Sequence, residues 1–304
     1  MKSLLAIVVT AVLIGCATPV EPDQEIFIEE VVVEGYIEAG PGANPPFVLL
    51  SRSTAFLDSI SIDNINDAII RDALVYIEDG QESYELTAIC LGELDIALAA
   101  MIREQLRLPP SSSIDPCVYL DLSNSLTPVP GGIYKLTIEV DDRTITGTAT
   151  IPEFVALERF SWTAAPGTVG PQYRQLMTSI SDPADTLDYY RYLTSIDDGP
   201  YLAGLASVTD DALFDGQSFE FVLQKSEPPG EEFTNEYGLY EVGDSVGIRW
   251  MTLDEQHFDF WNTLEFSRAN QGPFAGYTRV RSNISGGIGI WGGAHVDIYN
   301  LIVE

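Results

Sequence analysis

The chain has 304 residues, 45% of them hydrophobic, which is enough apolar side chain for a packed core and excludes a wholly disordered polymer. Fifteen Lys and Arg stand against 46 Asp and Glu, a formal charge of −31. A surface this acidic repels nucleic acid and anionic lipid headgroups, so neither is expected as a partner reached through charge. At roughly 100–200 residues per domain the length suggests two domains. Three lysines (Lys2, Lys135, Lys225) against twelve arginines fit two readings equally. One is a salty habitat, where screening cuts self-repulsion to a few ångströms; the other is a generally acidic secreted protein.

The chain opens with Lys2, then an apolar run from Leu4 to Ile14, then Leu13-Ile14-Gly15-Cys16. Basic start, short apolar core and small residues at the cut are the layout of a secretory signal. Eleven residues are too few to span a bilayer as a helix. Leu-Ile-Gly-Cys resembles the lipobox of bacterial lipoproteins. Residues 1–15 are then a lipoprotein signal peptide, and Cys16 becomes the acylated first residue of a lipidated tether, 16–24, that holds Pro19 and Pro22. At about 0.8 kcal/mol per buried methylene, several acyl chains make a lasting anchor where one does not. The alternative is an ordinary signal peptide with an incidental cysteine. Thr18 after Ala17 does not suggest inner-membrane retention, so the outer membrane is expected, its periplasmic or cell-surface face left open.

From there the pattern is mainly β. Ile26 to Ile37 is β-branched and ends in a Gly/Pro-rich turn, and Phe47 to Leu50 is the next strand. Ala73 to Ile89 reads as a hairpin around Asp79-Gly80, and Ile133 to Ile151 as a second around Asp141-Asp142. Between them Leu91, Leu94, Leu98, Met101, Ile102 and Leu106 recur at helical spacing until Pro109-Pro110. The expectation for 25–153 is an immunoglobulin- or fibronectin-like β-sandwich with a helical insertion, closed by Pro152. For 154–304 it is a second β-rich domain. Its strands are read at Phe160–Trp162, Gln175–Ile180, Tyr189–Ser195, Ser218–Leu223, Ser245–Leu253 and Val296–Val303. Thr252 with Glu255 reads as a capping box opening one helix, with Phe258, Trp261 and Leu264 on one stripe.

Cys90 and Cys117 flank the insertion. In an oxidising compartment the pair reads first as a disulfide, with two buried thiols as the alternative. His257 and His295 are the only histidines and are far from both, so no zinc ligand set is assigned. Gly243-Asp244-Ser245-Val246-Gly247 matches the nucleophile elbow of serine hydrolases, but strand-like residues follow Ser245 and a turn entering a strand is the simpler reading. Gly287 to Gly292 matches G-x-G-x-x-G without the helix a dinucleotide site needs, so the glycines read as a tightly packed or bulged strand. Asp182-Pro183-Ala184-Asp185, Asp197-Asp198-Gly199 and Asp210-Asp211 lack EF-hand spacing and read as solvated turns, with calcium at one of them as the alternative. The four tryptophans, Trp162, Trp250, Trp261 and Trp291, read as core for at least three, with a sugar-stacking platform as the alternative. No catalytic residue and no cofactor is assigned.

Several pieces carry a family resemblance. They are the lipobox, Val31-Val32-Val33-Glu34-Gly35, Pro130-Gly131-Gly132-Ile133-Tyr134-Lys135-Leu136, Asp182-Pro183, Tyr189-Tyr190, Phe214-Asp215-Gly216, Gly243-Asp244, Pro273-Phe274 and Ser282-Asn283-Ile284-Ser285-Gly286-Gly287-Ile288-Gly289. Together they resemble the Bacteroidota lipoprotein family of domain of unknown function 4249, over nearly the whole mature chain. The resemblance implies an outer-membrane lipoprotein linked with TonB-dependent transport, with no catalytic residue to carry over. The function expected is a non-enzymatic binding or accessory subunit beside a TonB-dependent transporter. A structural or adhesive envelope protein is the alternative, and a serine hydrolase using Ser245 the third.

Overall fold

The computed structural model describes residues 27–55, 61–96, 99, 113–184, 186–228, 230–269 and 279–304. Cys16 with its signal and tether, most of the helix expected over 91–106, Asp185 and Pro273-Phe274 lie outside the described residues. Of that insertion, Leu91–Glu93 form a single 3-10 turn.

The protein is mainly β. The first half holds β1 (Val31–Ala39), β2 (Phe47–Arg52), β3 (Leu74–Glu78), β4 (Ser83–Cys90), β5 (Cys117–Leu120), β6 (Ile133–Val140) and β7 (Arg143–Thr150). A short helix, α1 (Ile62–Ala68), is capped by the Ser61 hydroxyl, which accepts from Asn64 N–H. Both expected hairpins form. Asp79 turns β3 into β4 by accepting from the Gln81 and Glu82 N–H groups at 2.8 Å. Asp141 and Asp142 sit at φ 50° and 58°, the left-handed pair that a two-residue hairpin needs to follow strand twist.

The second half adds β8 (Leu157–Ala164), β9 (Tyr173–Ser181), β10 (Tyr189–Ile196), β11 (Leu202–Asp210), β12 (Ser218–Leu223), β13 (Tyr240–Glu241), β14 (Ser245–Leu253), α2 (Glu255–Ala269) and β15 (Ile288–Ile302). Eleven strands join in one strip, β11-β10-β14-β15-β1-β2-β5-β4-β3-β6-β7, and β8, β9, β12 and β13 form a small sheet. Along the strip only β1 and β15 run parallel. The strip rolls over until β7 lies against β15, where Thr146 bridges Ser285. Inside the roll, alternate residues of each strand meet: Val31, Val33 and Ile37 of β1, Val75 and Ile77 of β3, Leu136 and Ile138 of β6, and Trp291 of β15. Period-two burial of this kind is what a half-buried strand requires.

A second core lies between the small sheet and the β10-β14-β15 end of the strip, around Leu176, Tyr190, Leu223, Tyr240, Ile248 and Trp250. On the other face of that end sits α2, which packs its Phe258 over Tyr189, Met251, Leu253 and Val296. β14 is therefore covered on both sides, which is why every residue after Ser245 is buried. Among the described residues no helix is long and apolar enough to cross a membrane.

Three expectations change. Thr252 is not a helix cap: it is fully buried in β14 and accepts from Val155 N–H, while Asp254 takes the cap, its Oδ1 accepting from His257 N–H at 2.7 Å. Two tryptophans are core, Trp250 and Trp291; Trp162 and Trp261 are half-buried and point to different neighbours, Tyr240 and Arg191. Asp211 is no solvated turn residue, being wholly buried. The glycine run, by contrast, is the tightly approached strand expected. Gly289 sits at φ +125°, and a Cβ on it or on Gly293 would collide with the carbonyls of Val33 on β1 and Thr150 on β7.

Candidate functional site

Register assembles the site. Ser181, the last residue of β9, pairs with Ser218, the first of β12, and Tyr189, the first of β10, pairs with Asp210, the last of β11. The connections 182–188 and 211–217 must then lie side by side at one end of the second sandwich. They bring together three pieces of the family pattern: Asp182, Tyr190 and the Phe214-Asp215-Gly216 turn.

The strands below these loops supply a circuit of aromatic rings. Tyr190 stacks on Trp250 at 5.3 Å and on Phe214 at 6.3 Å between centroids. Phe214 stacks on Phe219 at 5.0 Å, Phe219 on Phe221 at 6.2 Å, and Phe221 closes on Trp250 at 6.3 Å. The five rings border a cleft of about 240 Å³ that opens between β11 and β12. Its wall is almost wholly apolar. Phe219 is 43% exposed; Leu213 and Leu205, chain neighbours of the lining residues Phe214 and Ala206, are exposed as well. An exposed ring such as Phe219 at the mouth of an aromatic hollow marks a place where another molecule gains by excluding water.

Next to the loop end of the cleft, reached through the Tyr190 hydroxyl, lies an acidic cluster. The Tyr190 hydroxyl donates to Asp182 Oδ1 at 2.5 Å, and Gly216 N–H donates to Asp182 Oδ2 at 3.1 Å. Asp188 N–H donates to Asp211 Oδ2 at 2.8 Å, and Thr186 donates to Asp188 Oδ2 at 2.7 Å. One carboxylate oxygen from each of Asp182, Asp188 and Asp211 lies within 4.8 Å of the other two. Burial, then the hydrogen bond and charge of Asp182, drive the Tyr190 hydroxyl far above its ordinary range. Burial raises Asp211, helped by the charges of Asp182, Asp188 and Asp215 and opposed by the Asp188 N–H. Burial likewise raises Asp188, against the Thr186 hydroxyl and with the Asp182 charge.

On the opposite face of β10 the buried charge is paired. Arg191 stands 3.6 Å over the Trp261 ring and donates to the Ser207 hydroxyl at 3.0 Å. Glu265 of α2 accepts from the Ser207 N–H and faces Arg191 at 3.8 Å. His257, in the first turn of α2, is buried on the sheet side, stacked 5.0 Å from Tyr36, with Nδ1 3.1 Å from the Gly293 carbonyl. His295 packs on Phe154. Neither histidine reaches Ser245, which opens β14 after the Gly243-Asp244 turn, Gly243 at φ +99°, and whose N–H donates to Asp197 Oδ1. The turn-entering-a-strand reading therefore holds there, and the elbow geometry is missing.

Cys90 and Cys117 are bonded across the β4–β5 pair, where they face each other in register. The sequence reading missed Asp188 and the aromatic circuit. The only local signals were Asp-Pro, Tyr-Tyr and Phe-Asp-Gly, and no spacing among them fixes a distance in space.

The model of the family described as a domain of unknown function, DUF4249, matches residues 17–299, and the chain belongs to that family. No curated protein and no solved structure matches it.

Proposed function

From membership of a family whose function is unknown, we propose that this chain is a non-enzymatic binding or accessory subunit, anchored through acylated Cys16 at the outer membrane beside a TonB-dependent transporter. The observation that carries the binding part is the aromatic cleft. Five stacked rings would ordinarily close over one another in a core, yet here Phe219 stays 43% exposed at the mouth of an apolar hollow. At about 240 Å³ the hollow takes one ring or branched side chain, not a drug-sized ligand. A protruding apolar group of a partner protein fits it in size and chemistry. The anchor part rests on the Leu13-Ile14-Gly15-Cys16 motif alone.

The test is a detergent-solubilised pull-down of the native lipidated protein, wild type and Phe219→Ala, with bound proteins identified by mass spectrometry. Phe219 is exposed enough for the substitution to leave the fold intact. A stoichiometric outer-membrane transporter held by wild type and lost from Phe219→Ala is the result expected. Recovery of wild type alone would overturn the accessory reading. A transporter held equally by both proteins would detach the cleft from it.

A further inference from the structure

We propose that Asp182, Asp188 and Asp211 form a calcium site that clamps the 182–188 and 211–217 loops together. Asp211 is 0% exposed and aims its carboxylate into the cluster, within 4.8 Å of the other two. Its Oδ2 is occupied by the Asp188 N–H; its Oδ1 has no partner among the described residues. A buried carboxylate oxygen without a donor carries a desolvation penalty that native structures rarely leave standing. Asp182 is 8% exposed, and Asp188 is half-buried. No Lys, Arg or His among the described residues forms an ion pair with any of the three.

Calcium fits this vacancy in charge and chemistry. It takes six to eight oxygens in loose geometry, mono- or bidentate carboxylates and carbonyls included, whereas magnesium demands a near-ideal octahedron. The Asp188 and Asp211 backbones are already tied to each other through Asp211 N–H to Asp188 O at 3.1 Å, so the loops hold two of the three ligands in place. The 211–217 turn also carries Phe214, one of the five cleft rings, and Tyr190, another, donates to Asp182. A bound cation would thus set the loop end of the cleft. The inference stands apart from the docking reading, because cation binding is measured on the isolated protein.

The experiment uses the full mature chain in detergent at physiological salt, stripped with EDTA. Calcium titration is followed by thermal unfolding, and terbium binding by luminescence sensitised through Tyr190 and Trp250. Expected are a rise in Tm with millimolar calcium, sensitised terbium emission that calcium displaces, and a Kd between about 10⁻⁵ and 10⁻³ M. Asp211→Asn should weaken calcium at least tenfold; Asp198→Asn, in an exposed turn, should leave it unchanged. If Asp211→Asn fails to fold, Asp188→Asn serves in its place, and the wild-type comparison of calcium with EDTA needs no variant. A wild-type Tm that ignores calcium would overturn the proposal. So would an Asp211→Asn protein that binds calcium as tightly as wild type, which would place the cation elsewhere.

Discussion

Lowering the pH from 7 to 5 probes the buried imidazole of His257. The ring is 2% exposed, and its Nε2 has no partner among the described residues. Burial holds its pKa down at about 3; the Gly293 carbonyl pulls it up and the Arg191 charge pushes it down further. In the unfolded chain an imidazole titrates near 6.5. A depressed folded pKa means that the unfolded chain takes a proton the folded chain refuses. Stability from this group is therefore complete above about pH 6.5 and is lost as the pH falls toward 3. Between pH 7 and pH 5 the loss works out at about 2 kcal/mol, and it barely changes if the folded value is nearer 4.

Asp254 acts in the opposite sense. Burial raises it to about 6 against the N–H groups of His257, Gly293 and Thr150. A carboxyl with a raised folded pKa stabilises the fold at low pH and loses that contribution as the pH rises from about 4 through 6. Over the same interval from pH 7 down to 5 it returns about 1.3 kcal/mol. Of these two groups, wild type should show a net loss below about 1 kcal/mol. His257→Gln keeps an amide donor for the Gly293 carbonyl but does not titrate, so it should show a net gain of about 1 kcal/mol. Carboxylates common to both proteins cancel in the difference. Urea unfolding of both at pH 5, 6 and 7 measures it through the midpoints at constant m. Stability profiles that run parallel would refute the reasoning, for they would mean that His257 is protonated in the fold or reaches water.

Four further outcomes follow from single contacts. Arg249→Met leaves Glu38 buried without its partner and should cost about 3–5 kcal/mol by urea unfolding, with most of it recovered on adding Glu38→Gln. Trp291→Ala empties the middle of the first core and removes the indole donor to Tyr134 O, for a loss of about 3–5 kcal/mol by the same assay. The Cys90–Cys117 bond closes 27 residues of chain, so Cys90→Ala with Cys117→Ala should cost about 3.5 kcal/mol on the loop-entropy scale. Cys16→Ser should move the protein from the membrane fraction to the soluble fraction, read by fractionation and blotting.

What was legible in the sequence was local. Asp79-Gly80 and Asp141-Asp142 name their hairpins because the turn residues themselves decide the geometry. β14 was read at its observed bounds, Ser245–Leu253. The α2 start was misread by two positions, since Thr252 and Asp254 are both good cap residues and only the burial of Thr252 in the strand separates them. β11 was not foreseen: Leu202-Ala203-Gly204-Leu205-Ala206 is an edge strand of small, partly exposed residues with no β-branched run. β5 has four residues and falls beside the insertion. The site was not legible because its parts are joined by pairings between distant strands. Asp182 and Asp211 share a cluster only because β9 pairs with β12 while β10 pairs with β11.

The distribution of buried charge ties these observations together. With 15 Lys and Arg against 46 Asp and Glu, the chain has few cations to spend on its interior. Two go to buried acids: Arg249 to Glu38, where β14 faces β1 across β15, and Arg191 to Glu265 under α2. Both hold the two halves or the helix in register, and both acids are thereby neutralised within the fold. Asp182, Asp188 and Asp211 receive no such cation among the described residues, although Asp211 is the most completely buried acid of all. Their hydrogen bonds reach both oxygens of Asp182 but only one each of Asp188 and Asp211, and they leave three carboxylates with oxygens within 4.8 Å of one another. No cation among the described residues offsets that charge, which is the opening that the proposed metal ion would fill. The loops that pay this cost are the ones that frame the aromatic cleft, which is where a fold would keep an unmet charge if a cation were to set the shape of a binding surface.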